Sequence, residues 1–115
     1  MSAVSVSTTK LQADITAALA AAIAAGLGVG QTWQNMIASR ALNTIYTNTS
    51  SKPIFIAITF SSGPFDSAII VSGVAIMHQS TTTTDSRQSS FVVPSGSSYS
   101  ISTLGTTLYK WAELR

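Results

Sequence analysis

Two hydrophobic rhythms divide the chain near residue 30. In the first, Leu11, Ile15, Leu19 and Ile23 recur at every fourth position among alanines, the spacing of a helix whose apolar stripe drifts slowly around one face. Alanine's helix propensity reinforces the reading. Thr9 followed three residues later by Gln12 has the form of a capping box, and Gly26 supplies a stop. A helix of this length is marginal in water unless it packs on something, and its alanine flanks offer little to bury against a monomeric core. Small flanks suit self-association around a symmetry axis. The alternative is a helix lying on the β-domain of its own chain, and barely two heptads cannot fix a strand number.

From residue 32 onward the rhythm shortens to short β-type runs parted by Ser, Thr, Gly and Pro, which predicts a sandwich or barrel. Strands are expected over residues 32–36, 45–48, 54–60, 68–78, 90–93, 98–102 and 107–113. Ser72-Gly73 interrupts the fourth of these, making it two strands or one bulged strand. Polar turns lie at residues 48–53, 61–66, 80–89 and 94–96, each rich in residues that favour turns. The expected fold is all-β: a small β-sandwich over residues 28–115, preceded by a short N-terminal Ala-rich helix in a segment spanning residues 1–27.

Composition narrows the function. The chain of 115 residues is 45% apolar but only 9% charged, with 19 Ser and 15 Thr. Hydroxyls of this kind bind water well but supply little acid-base chemistry. The formal charge is +2, and Lys10, Arg40, Lys52, Arg87, Lys110 and Arg115 are scattered rather than clustered, so no nucleic-acid partner is expected. Without cysteine there is neither a disulfide framework nor a thiolate metal site, leaving packing or oligomerisation to hold the domain. The alanine-rich stretch is too weakly apolar and too short to insert in a membrane, and with one preceding cation and Asp14 at its start it does not read as a signal peptide.

A search for chemistry finds no catalytic, cofactor-binding or metal constellation. His78 is the lone histidine, no nucleophile-elbow motif surrounds any serine, and the four acids Asp14, Asp66, Asp85 and Glu113 read as separate solvated groups. Gly26-Leu27-Gly28-Val29-Gly30 follows a helix and leads to a strand, the reverse of a phosphate-binding order, and reads as a flexible joint. Asn48-Thr49-Ser50 is a glycosylation sequon that matters only in a eukaryotic secretory pathway. Trp33 and Trp111 fall in the first and last predicted strands, where a core or a subunit seam is the expected place and a sugar site the alternative. Phe65, in the turn Gly63-Pro64-Phe65-Asp66, is the aromatic expected outside a strand. With Asp66, Asp85 and Arg87 it forms the candidate ligand-contact set.

The runs Gly28-Val29-Gly30-Gln31-Thr32-Trp33-Gln34-Asn35, Ser39-Arg40-Ala41-Leu42, Tyr46-Thr47-Asn48-Thr49 and Lys52-Pro53-Ile54, with Val93-Pro94-Ser95-Gly96-Ser97-Ser98-Tyr99-Ser100 and the terminal Trp111-Ala112-Glu113-Leu114-Arg115, are similar to a module at the C-termini of bacteriophage tail fibre and receptor-binding proteins. The resemblance covers residues 28–115 and is weakest over residues 61–89. It implies a homotrimeric, non-enzymatic β-sandwich on the virion that adheres to host surface polysaccharide and contacts other phage tail proteins. It also implies a trimer seam, with Leu11, Ile15, Leu19 and Ile23 bundled on the axis and Trp33 and Trp111 as further seam candidates. The competing expectation is a purely structural collar, plug or decoration subunit, and a depolymerase fragment is a more distant one.

Overall fold

A computed structural model describes residues 8–24, 26–61, 64–82, 86–105 and 107–115. Helix α1 spans Thr8–Ala24. Thr9 therefore sits inside the helix, and the capping box expected from Thr9 and Gln12 is not its boundary. The backbone carbonyl of Gln12 instead accepts the Thr16 hydroxyl at 2.8 Å. Every described side chain of α1 is exposed, including the stripe residues Leu11, Ile15 and Leu19 at 49%, 55% and 59%; the Ile23 side chain lies outside the described residues. The molecule measures 77 × 25 × 20 Å. Of the two packings open to the helix, the one against its own β-domain is not adopted.

The glycine-rich joint is tied to the sandwich at its far end. Gly28 donates its backbone N–H to Gln31 Oε1 at 2.5 Å, and Gln31 Nε2 donates to the Pro53 carbonyl at 2.8 Å. Lys52 Nζ reaches the Val29 carbonyl at 2.5 Å. Gly28 and Gly30 both adopt positive φ, 91° and 69°, a conformation open to glycine at no steric cost.

Among the described residues eight strands follow: β1 Trp33–Asn35, β2 Tyr46–Thr47, β3 Ile54–Phe60, β4 Phe65–Val71, β5 Val74–Thr81, β6 Arg87–Val93, β7 Ser98–Leu104 and β8 Leu108–Leu114, with a 3-10 turn at Ile37–Ser39 after β1. They form two antiparallel four-stranded sheets, ordered β1-β8-β3-β6 and β2-β7-β4-β5. Strict alternation explains how the sheets close on each other. Ile54, Ile56, Ile58 and Phe60 of β3 point one way, and Phe65, Ile69 and Val71 of β4 point back at them. Phe91, Val93, Tyr99, Ile101 and Trp111 complete the core.

The interrupted run 68–78 resolves both ways at once. Ser72 and Gly73 take φ values of 53° and 78°, and Val71 pairs with Val74 across them, the two-residue hairpin in which both central residues need positive φ. A register shift between Ile69 and Ile70 adds a bulge. Phe65 differs from expectation, and Trp111 takes the core rather than the seam of its two expected places. Phe65 is the first residue of β4, 4% exposed, with its ring 5.1 Å from Phe60, because its alternation with Ser67 and Ile69 carries it inward. Trp111 is fully buried in the core of its own chain, so it does not serve as a subunit seam. No helix among the described residues is long and apolar enough to cross a membrane.

Candidate functional site

The strongest electrostatic feature lies between the sheets. Glu113 is fully buried, and its carboxylate is gripped by Arg40, whose Nε and Nη2 donate to Oε2 at 2.8 Å and Oε1 at 3.1 Å. Trp111 Nε1 donates to Oε2 at 2.9 Å, Arg115 Nη1 to Oε1 at 2.8 Å, and the Tyr99 hydroxyl to Oε2 at 3.2 Å. The Arg40 guanidinium also stands 4.7 Å from the centre of the Tyr46 ring, whose hydroxyl accepts the Ala41 N–H at 2.7 Å. Burial by itself pushes the Glu113 carboxyl up, but the hydrogen bonds from Arg40 and Trp111 and the charge of Arg40 outweigh it and hold it below its ordinary 4.5. Burial, then the Glu113 charge, raises the Tyr99 phenol above its ordinary 10.0. A carboxylate with every lone pair engaged and its charge neutralised has no proton to give. The cluster is an internal fastener joining the loop after β1, β7 and the end of β8.

Glu113 is thus a buried, paired carboxylate and not the solvated acid expected from the sequence. The available signal was the alternation of Trp111, Glu113 and Arg115 in the last strand, which puts the acid on the same face as an inward tryptophan. What the sequence does not place is Arg40, 73 positions away.

A second fastener is Asn48, 1% exposed. Its Nδ2 donates to the carbonyls of Lys52, Val93 and Pro94 at 2.8, 3.1 and 3.3 Å, and its Oδ1 accepts from the Ser50 N–H and hydroxyl at 3.1 and 2.7 Å. The sequon asparagine is thus sealed inside a turn, closed to a glycosylating enzyme in the folded state.

Of the candidate ligand-contact residues, Phe65, Asp66 and Arg87 lie at one end of the sandwich but do not converge. The β4–β5 hairpin pairs Phe65 with Thr81 and Asp66 with Ser80, and β3–β6 pairs Phe60 with Arg87, so the described strand ends at residues 60, 65–66, 80–81 and 87 are neighbours. Phe65 is withdrawn into the core. Asp66 faces outward on the second sheet and its carboxylate meets the His78 imidazole, two residues diagonally across the hairpin. The two border a shallow depression of about 150 Å³ with Ser102 and Leu104. Arg87 is exposed at the start of β6, and Asp85 lies outside the described residues.

Trp33 is more than half exposed on the outer face of the first sheet, edge-on to Phe55 at 5.8 Å. It remains available to a partner, unlike Trp111. No protein family and no curated protein sequence matches the chain.

Proposed function

We propose that this chain is a homotrimeric, non-catalytic tip of a bacteriophage tail fibre, which adheres to polysaccharide on the host cell and joins other tail proteins through residues 1–27. The observation that carries the reading is the helix: seventeen residues projecting from the sandwich with the stripe of Leu11, Ile15 and Leu19 in solvent. Such a helix is stable only when that stripe is covered, and bundling three copies on an axis covers it. The similarity of residues 28–115 to tail fibre modules supports the phage setting. Three equivalent sites per tip raise apparent affinity without new contacts, which suits weak recognition of sugars by hydroxyl-rich loops.

Adsorption is the direct test. Purified protein is expected to bind host cells and to compete with phage for them. Absence of both would reject adhesion and leave a structural collar, plug or decoration subunit. Incubation with host polysaccharide is expected to leave chain length unchanged; shortening would identify a depolymerase.

A further inference from the structure

The outer face of the first sheet has a composition that the core does not require. Register places Trp33, Leu114, Phe55 and Val92 in one row across its four strands, and Asn35, Ala112, Ala57 and Ser90 in the next. The row beyond holds Lys110, Thr59 and Gln88. An apolar band thus gives way to a floor of small side chains and then to amide, hydroxyl and ammonium groups. Two adjoining depressions, about 520 and 450 Å³, lie along this face and share Lys110 and Ala112.

A bulge furnishes the far wall. Strict alternation from the inward Trp111 would turn Tyr109 into the core. Instead Thr59 pairs with Lys110 and Phe60 with Leu108, which leaves Tyr109 as the extra residue. Its ring is 65% exposed and lines the larger depression opposite Trp33, with Lys110 Nζ 5.6 Å from its centre. Bulges that re-aim a side chain are characteristic of binding faces. Between the level of Trp33 and that of Lys110 the strand advances four residues, about 13 Å.

We infer that this trough is a saccharide-binding site selective for acidic sugars, with Trp33 and Tyr109 as stacking platforms and Lys110 as the group that meets a carboxylate or phosphate on the sugar. This rests on the adhesion reading and moves its contact surface from the loops to the sheet. Three features favour this occupant. The floor of Ala57, Ser90 and Ala112 is too small and too polar at one side to grip an apolar helix, while flat aromatic walls and side-chain amides match the apolar faces and hydroxyl rims of pyranose rings. Lys110 is the charged residue of these three rows, which contain no acid, so the trough complements a negative ligand.

The test is a printed array of purified bacterial capsular and O-chain polysaccharides, acidic and neutral, probed with the full chain. Variants Trp33→Ala, Tyr109→Ala and Lys110→Gln are compared with Asp66→Ala and Arg87→Ala at the loop end. The inference expects acidic polysaccharides to be bound and each trough variant to weaken that binding by about tenfold, while the loop variants change it little. Tyr109 and Lys110 are exposed, so their variants keep the fold, which a thermal melt checks. Retained binding in the trough variants with loss in the loop variants would overturn the inference and leave adhesion standing. A trough variant that falls to monomers would overturn it by showing the face to be a subunit seam. Binding of neutral polysaccharides alone would overturn the assignment to Lys110, and no binding by the unaltered protein to any polysaccharide would overturn both readings.

Discussion

At the scale of single residues, Glu113 and Arg40 make the sharpest predictions. Arg40→Met leaves a buried carboxylate with only part of its neutralising charge and is expected to cost about 3–5 kcal/mol in denaturant unfolding. Arg40→Met combined with Glu113→Leu should recover much of that, since a desolvated ion pair contributes little net stability over apolar side chains of similar shape. The pH dependence follows from the same group. Because the folded Glu113 carboxyl titrates below its ordinary 4.5, its contribution is fully present above that pH and lost as pH falls through the folded value. Tyr99, raised above 10.0, contributes stability that is present below that pH and lost as pH rises through its folded value. Urea midpoints measured from pH 3 to 11 should show both limbs, with Glu113→Gln flattening the acid one and Tyr99→Phe the alkaline one. Asn48→Ala, which strands several buried carbonyls and an N–H, is expected to cost about 2–3 kcal/mol.

At the scale of elements, how much was legible depends on whether the signal was local. The run Ile54–Phe60 alternates so regularly that its strand emerges with the expected ends. Ser72-Gly73 marked a break or a bulge in the run 68–78, and the positive φ of both residues makes it a hairpin turn. The N-terminal half of β4 was missed: Pro64 and Asp66 look like turn residues, yet Phe65 anchors the strand because Phe60 waits across the core. At Tyr109 a bulge overrides the alternation that starts from Trp111 and turns the ring out. Neither outcome can be read from a window of neighbours, since each is set by the opposing strand. Phe65→Ala is accordingly expected to destabilise by about 3–5 kcal/mol rather than to act as a silent surface change, which calorimetry will register. Asp66→Ala, on an exposed side chain, should stay within about 0.5 kcal/mol.

At the scale of the whole molecule, the sandwich and the helix are held by different means. Among the described residues the sandwich has its own core of twelve buried hydrophobic residues and two polar fasteners, so removal of residues 1–26 should leave its melting nearly unchanged. Among the described residues the helix is exposed throughout; in the proposed trimer its order would depend on copies of itself, making assembly and helicity one transition. Replacing Leu11, Ile15 and Leu19 together with serine should abolish assembly and most of the far-UV helical signal while the near-UV signal of the buried Trp111 persists. Sedimentation equilibrium of the full chain across a hundredfold range of concentration, on the order of micromolar and above, tests the trimeric fibre-tip reading most directly. A mass of three times 12.0 kDa is predicted, falling toward the single-chain value in the serine variant. A concentration-independent mass of 12.0 kDa for the unaltered protein would contradict it.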